Sequence, residues 1–383
     1  MQMKFWPFNR EQRKTDPSWN ALADRGASSI SGQFVDAKSA ESISTVFGCV
    51  QALSESVACL PLHVYQRTQD ERVRADDYPL ARVLRQPNPN QSGLSFRESM
   101  TASVLLHGNA YARIESNGAG EITGLHPIDP KTVTIVELAS GRYAYDVAGS
   151  TAVARLLDDE IFHLADRCDL GSIVGKSRIT VARETLGLGL ALRNHGSSTF
   201  ANGAQPGGIL TVDNGPKALT SEQQSDLRDA WNSRHSGSGN AGRVAVLSGN
   251  MKYQQVGMSL DDAQWVASQQ FSVEEICRIF RVPPTMVGDL RHGSYSNTAE
   301  LGSQFVRYSL ARWIAMWEAE ITRQLLGPIA RRKYLAEHSV EGLLRGNPEA
   351  RADFYAKAIA SGWMTVDEVR RLENLPRMEN AQE

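Results

Sequence analysis

The residues closest to a chemical signature are Gly171-Ser-Ile-Val-Gly-Lys-Ser177. A phosphate-binding loop needs four residues between its glycines, so that successive backbone N–H groups wrap the phosphates and the lysine meets them. Here three intervene and position 170 is Leu, so the spacing fails although a strand-like segment precedes the loop. Asp158-Asp-Glu160 is the second candidate. Adjacent carboxylates point in different directions and no companion cluster is visible, which predicts a solvated acidic turn rather than a metal site. The eight histidines form no His-x-x-x-His or His-Glu-x-x-His pair of the zinc type, and Ser177, Ser248 and Ser294 sit in no Gly-x-Ser-x-Gly elbow. Cys49, Cys59, Cys168 and Cys277 contain no Cys-x-x-Cys and are expected as buried, reduced thiols, which points weakly to a reducing cytoplasmic setting. These residues predict no catalytic group, no metal and no cofactor.

Charge narrows the classes further. The 383 residues carry 41 Lys/Arg against 43 Asp/Glu, a net charge of −2. A dedicated nucleic-acid binder needs a basic excess, because affinity comes largely from neutralised phosphates. Near-neutrality argues against tight binding over the whole surface but is compatible with a passage through which a polyanion slides. Cations gather at Arg331-Arg-Lys333, read as a solvated face, and around Arg278, Arg281 and Arg291-His292, which flank a loop. No apolar run approaches the length of a membrane span and the N-terminus lacks a signal-peptide core, so a soluble chain with no membrane partner is expected.

Elements that must position these residues follow from periodicity. Residues 1–38 are polar and weakly patterned, and read as a flexible N-terminal arm. Apolar positions at 3–4 spacing predict a helix over Ser42–Leu60, ended by Pro61, and Leu62–Gln66 alternates like a strand. A short helix at Pro79–Leu84 is broken by Gln86-Pro-Asn-Pro-Asn90, and Ser95-Phe-Arg-Glu98 has the capping-box pattern of a helix start. Alternating segments follow at Tyr111–Glu115, Ile122–Pro127, Val133–Val136, Tyr143–Tyr145 and Ile161–Leu164, giving a mixed α+β domain with a mostly antiparallel sheet. Ile179–Phe200 reads as a helix, although Leu186-Gly-Leu-Gly-Leu-Ala-Leu192 fits an alternating strand equally well.

The stretch Phe200–Leu210 then forms a corner. Asn202-Gly203 and Pro206-Gly207-Gly208 are backbone-turning dipeptides, followed by strand-like Gly208–Val212. Residues 209–258 look like a small unit, with a helix at Thr220–Trp231 and strands at Val244–Leu247 and Tyr253–Val256. Helix resumes over Ser259–Arg281 and stops at Val282-Pro-Pro284. A loop at Gly288–Asn297 leads to the longest helical run, Thr298–Leu326, with Trp313 and Trp317 one turn apart as core residues. Two short helices joined near Ser361-Gly362 close the chain.

Taken in order, these landmarks resemble the phage portal protein family of the Hong Kong 97 type. The resemblance is carried by Cys49-Val-Gln-Ala-Leu53 with Leu60-Pro-Leu62, Gln86–Asn90, His107-Gly-Asn-Ala-Tyr111, Leu125-His-Pro-Ile128, Asn202–Leu210, Val282-Pro-Pro-Thr-Met-Val-Gly288 with Tyr295-Ser-Asn297, and Gly362-Trp-Met-Thr-Val-Asp-Glu-Val-Arg370. It covers about residues 40 to 377. Lys176-Ser-Arg178 departs from a usual Ser-Pro, and Asp367 stands where Asn often precedes Glu-Val-Arg.

The resemblance implies an elongated α+β subunit: a wing over 39–178, a first stem helix over 179–205, a clip over 206–258, and a second stem helix over 259–284. A tunnel loop over 285–297, a long wing helix with its return strand over 298–345 and a helical crown over 346–383 complete it. It further implies a homo-oligomeric ring of twelve subunits at one capsid vertex, through which double-stranded DNA is packaged and ejected. The terminase large subunit, then a head–tail connector (adaptor), and the major capsid protein would be its partners, in the virion and, during assembly, the host cytoplasm. In that scheme Arg291, His292, Ser294, Tyr295 and Asn297 face DNA from the tunnel loop, Arg278 and Arg281 are stem cations, and Asn202, Gly203, Pro206, Gly207 and Gly208 turn the stem into the clip. A capsid adaptor or scaffold without a channel, and a nucleotide-binding enzyme using Gly175-Lys176, are the competing readings.

Overall fold

The computed structural model describes residues 26–68, 72–150, 152–201, 208–212, 220–235, 251–255, 272–291, 298–340, 348–373 and 375. They fall into two compact units. The first comprises Met1–Val50, Leu105–Gly108 and Asp166–Phe280, and the second Gln51–Val104, Asn109–Ala165 and Arg281–Glu383.

In the first unit, strands β1 (Ala27–Ser28) and β2 (Phe34–Val35) form a hairpin that leads into helix Ala37–Glu41, capped reciprocally by Asp36 and Ser39. The sequence assigns residues 1–38 to a flexible arm; residues 26–38 instead fold onto helix Arg183–Ala201. The Ile30 N–H donates to Glu184 Oε2 at 2.8 Å, and the Asn194 side-chain amide donates to Gln33 Oε1 at 2.9 Å. This contact also resolves the helix-or-strand ambiguity at Leu186–Leu192. The segment is helical, and a Cβ at Gly187 would lie 2.2 Å from Ser29 Oγ, so the glycine is where the hairpin crosses the helix. A shorter helix, Arg178–Val181, precedes it.

Also in this unit, Gly208–Val212 pairs antiparallel with Met251–Gln255, and helix Ser221–His235 lies between them in sequence. The proposed strand at Val244–Leu247 and the first part of the helix over Ser259–Arg281 lie outside the described residues; residues 272–280 are helical.

Among its described residues the second unit holds three small antiparallel sheets. Leu62–Arg67 (β3) is central between Arg72–Arg74 (β4) and Tyr334–His338. Asn109–Ser116 (β5) is central between Ile122–Ile128 (β6) and Ile161–Ala165 (β10). Val133–Glu137 (β7), Tyr143–Ala148 (β8) and Val153–Leu157 (β9) make a meander. Helix Gly93–His107 starts three residues before the expected capping box. Ser92, not Ser95, is the cap, accepting from the Ser95 N–H at 3.2 Å. The chain must start there because Gly93 packs on the end of helix Pro79–Arg85, where a Cβ would lie 2.3 Å from the Leu84 carbonyl oxygen.

The long helical run is continuous from Thr298 to Leu325 but contains two π-helical stretches, Val306–Leu310 and Ile321–Leu325, that periodicity does not reveal. Trp313 and Trp317 are fully buried. The Trp317 indole meets Phe96 and Phe162 and donates to Thr101 Oγ1 at 3.0 Å. The π turn also aims Gln324 at the free edge of β10, where its amide accepts from the His163 N–H at 2.7 Å and donates to the His163 carbonyl at 2.8 Å. One side chain thereby serves as a strand on that edge. Helices Pro348–Ala360 and Val366–Leu372, joined through Gly362, match the expected C-terminal pair.

Candidate nucleic-acid interface

The predicted cations follow one another in sequence, Arg278 on helix 272–280, Arg281 just after it and Arg291 ten residues further on. Arg278 forms an i,i+3 ion pair with Glu275 on that helix. At Arg281 the backbone turns left-handed (φ 58°), the only non-glycine residue to do so among those described. Arginine pays a steric cost in this region, so surrounding contacts must hold it. Two are visible. Val282 is buried beyond it, and the Arg281 carbonyl accepts the hydroxyl of Ser309, which lies in the first π-helical stretch. Pro283 and Pro284 then admit only a short 3₁₀ turn, Pro284–Val287, closed by Gly288 at φ 84°.

The loop that follows places Arg291 against an acid of its own. Asp289 Oδ1 accepts from the Arg291 backbone N–H at 3.2 Å and from Nε at 2.8 Å, while Oδ2 takes Nη2. This fork compensates a cation that the sequence alone presents as bare. The signal for it was local, an Asp two residues before an Arg in a turn. His292, Ser294, Tyr295 and Asn297 lie outside the described residues, as do Asn202, Gly203, Pro206 and Gly207 of the corner. Gly208, the last corner residue, opens a strand and pairs with Gln255. The chain passes from the first unit to the second between Phe280 and Arg281, so Arg278 belongs to one and Arg281 and Arg291 to the other.

What fixes the C-terminal end of helix 272–280 is the segment that resembled a phosphate loop. Arg178 donates through Nε to Asp166 Oδ2 at 2.7 Å and through Nη1 to the Ile279 carbonyl at 3.0 Å. The Asp166 N–H donates to the Gly108 carbonyl at 2.8 Å, and Ser177 donates to the Leu106 carbonyl at 2.7 Å while capping the next helix. Gly175 is glycine because a Cβ there would lie 2.0 Å from the Gly108 oxygen. Lys176 pairs with Asp169 at 2.6 Å, and its N–H is used by the Arg167 carbonyl. The Gly-Lys-Ser sequence is thus committed to a clasp: the Lys176 N–H, its ammonium and the Ser177 hydroxyl already have protein partners.

The remaining candidates resolve as charge compensation and packing. Arg142 pairs with Asp158 and reaches Asp159, and holds the Asp158 carboxyl below its usual range. Glu160 accepts the Leu157 N–H at 2.9 Å. Arg331, Arg332 and Lys333 are exposed on helix Ala330–Lys333. All four cysteines are free thiols. Cys49 and Cys277 are buried with their sulfurs 4.0 Å apart, and the thiol hydrogen bond, with burial, pushes the Cys49 pKa up. Cys59 is exposed and Cys168 half-buried, against the expectation of burial; Cys59 is the last residue of helix Ser44–Cys59, and Cys168 lies on an isolated bridge to Gly175.

Sequence alone did not reveal a buried polar cluster in the second unit. The His163 ring stacks on Tyr111 at 4.6 Å, its Nε2 lies 3.0 Å from Asn109 Oδ1, and its Nδ1 lies 3.2 Å from the Tyr145 hydroxyl. Burial first, and then the positive charge of Arg323, lower the His163 pKa to about 3; burial raises Tyr145 to about 12. Among the described residues no group of three or more His, Cys, Asp or Glu could hold a metal ion, and no helix is long and apolar enough to cross a membrane.

This fold and its packing define a structural α+β protein of the kind found in phage portals and necks. The phage portal protein family matches residues 44–374. The portal protein of Enterobacteria phage HK97 is 36% identical over 341 residues, covering 87% of this chain and 79% of the phage protein. The crystal structure of an HK97 family phage portal protein from Corynebacterium diphtheriae has a TM-score of 0.63 at 16% identity, covering 81% of this chain and 98% of that one. A chain in the neck of a native gene transfer agent particle computed with C12 symmetry has a TM-score of 0.58 at 23% identity, covering 94% and 97%. The chain belongs to the phage portal protein family, and its role is the structural one of a portal.

Proposed function

We propose that the chain closes into a ring of twelve subunits at one vertex of a phage capsid, and that double-stranded DNA enters and leaves through the ring. The observation that carries this reading is the likeness, over 94% of the chain, to a fold found in a particle neck computed with C12 symmetry. Head-to-tail contacts that close by rotation are the symmetry an axial channel requires. The near-neutral net charge suits a conduit, since each tight phosphate contact resists sliding. Residues 285–297 face the DNA, with Arg291 and His292 as their cations and Arg278 and Arg281 preceding them. The corner at 202–208 turns the stem into the clip, which meets the terminase large subunit and then the head–tail connector. The major capsid protein surrounds the wing. The ATP-driven work belongs to the terminase.

Electron microscopy of the purified protein tests this reading. Closed rings with a central hole wide enough for duplex DNA are expected. Monomers under all conditions, or rings without such a hole, overturn it, and the second outcome favours a capsid adaptor.

A further inference from the structure

The solvent face of the three-stranded sheet in the second unit carries cations that the conduit does not use. Strand alternation sends Val64 and Ala336 into the core, and both are buried. The opposite face therefore carries His63, Tyr65 and Arg67 from the central strand, Arg72 and Arg74 from the edge strand, and Glu337 from the third. The contacts agree. Arg74 Nη2 donates to His63 Nδ1 at 3.1 Å, Arg72 reaches Glu337 at 2.7 Å, and the His63 and Tyr65 rings meet edge-on at 6.2 Å.

Three features separate this face from an ordinary solvated one. Arg67 and Arg72 are directly opposite each other in register, an arrangement of like charges that destabilises a sheet unless an anion lies over it. Arg67 lies one residue past the end of the pairing with Tyr334–His338, which stops at Gln66, so its one cross-strand neighbour is Arg72. Among the described residues, Glu337 and Asp76 are the acids that pair with these arginines, and they do not cancel the field. The Arg72–Glu337 and Arg74–Asp76 pairs are largely exposed, where such pairs contribute little and exchange readily. Burial, then the positive charge of Arg74 and Arg85 with Asp76 opposing, holds His63 below its ordinary pKa, so the ring is neutral and accepts from Arg74. Residues 61–85 and 330–338 together hold eight Lys/Arg against five Asp/Glu, in a chain with a net charge of −2.

We propose that this face binds the phosphate backbone of duplex DNA. The cations on the face, Arg67, Arg72 and Arg74, are all arginine, whose planar fork engages phosphate oxygens in pairs, as a lysine cannot. Arg72 and Arg74 stand two residues apart on an extended strand, about 6.8 Å, which lets two guanidinium groups meet successive phosphates of one strand. Half-buried Tyr65 and His63 stiffen the platform between them. The contact is one of backbone positioning, without base readout. The proposal rests on the portal reading, which places DNA near the protein, and assigns a second DNA contact outside residues 285–297.

The test uses the assembled full-length protein carrying Arg291→Ala and His292→Ala, so that the loop contributes little. Binding of a short DNA duplex is followed by fluorescence anisotropy over a range of KCl concentrations, before and after adding Arg67→Glu and Arg74→Glu. Assembly is checked by electron microscopy, and the milder pair Arg67→Gln and Arg74→Gln serves if charge reversal impairs folding. The expected result is an affinity reduced by about tenfold or more and a salt slope shallower by about 0.9 for each phosphate no longer engaged. Unchanged affinity and slope in a folded variant overturn the proposal. So does unchanged DNA binding combined with failure to enter capsids, which would assign the face to an acidic protein surface. If no ring forms even without the added substitutions, the conduit reading fails, while the comparison of duplex binding still decides this face.

Discussion

His163 shows how one buried side chain sets a pH limit for the fold. Its two nitrogens face an acceptor, Asn109 Oδ1, and a hydroxyl, Tyr145, that can donate. A neutral ring with its proton on Nε2 satisfies both, whereas a second proton on Nδ1 would put a positive charge in a buried site near Arg323. The folded pKa of about 3 lies below the unfolded value of about 6.5. Above the unfolded pKa neither state is protonated and the stabilisation is complete. As pH falls below about 6.5 the unfolded chain takes up a proton that the folded chain refuses, so stability is lost at up to about 1.4 kcal/mol per pH unit until about pH 3. Urea denaturation at pH 7.5 and pH 5 should show this loss. A His163→Gln variant should start about 2 kcal/mol less stable and lack that share of the slope; an identical slope would remove His163 as the cause. Nothing in Ile161–Ala165 foretold this, because an alternating strand reads the same whether its His points to solvent or into a cluster. Asp289 is the opposite case: its hold on Arg291 is local, an acid two residues before the arginine in a turn, and so is legible in the sequence.

At the level of elements, the two glycines of Leu186–Leu192 separate what sequence could say from what only packing decides. The period fitted helix and strand alike, and glycine argued against helix at about 1 kcal/mol each. The hairpin at 27–35 settles it. Gly187 lies under Ser29, so its lower propensity is the cost of a close approach, while a Cβ at Gly189 would meet only Ile43 Cδ1 at 3.8 Å and Ser272 Oγ at 4.0 Å. Gly189→Ala should therefore stabilise the protein by up to about 1 kcal/mol. Gly187→Ala should destabilise it by about 1–3 kcal/mol, since both Ser29 Oγ and the less movable Ser29 Cβ, at 2.4 Å, must shift. Thermal unfolding of the two variants checks the signs, and equal effects would mean the hairpin does not rest on the helix. Most elements were legible because apolar spacing and Pro or Gly stops are local. The π-helical stretches were not: the extra residue that aims Ser309 at the Arg281 carbonyl and Gln324 at β10 answers to partners far away in sequence. The capping box failed similarly, as Ser92 and Ser95 both suit a cap and only the packing at Gly93 chooses between them.

On the scale of the whole molecule, the order of the landmark motifs carried the family, while composition carried only near-neutrality, which under the proposed function is the constraint that DNA is not gripped. Asp289 makes that constraint testable. A conduit works when its cations are strong enough to centre a polyanion and too weak to hold it, and a carboxylate forked onto Arg291 tunes one cation in that direction. Asp289→Asn keeps the Oδ1 that accepts the Arg291 N–H but removes the negative charge, so the loop conformation should persist while its potential becomes more positive. In the assembled protein, duplex binding should tighten, and the slope of log affinity against log salt should steepen by about 0.9 for each phosphate newly engaged. DNA translocation through the ring should slow in the same variant, because interactions that add binding free energy must be broken at each step. Charge-reversed Arg291→Glu should move affinity and slope the other way with ring assembly intact. If Asp289→Asn leaves binding, slope and translocation unchanged, Arg291 does not meet DNA and the fork only stabilises the turn.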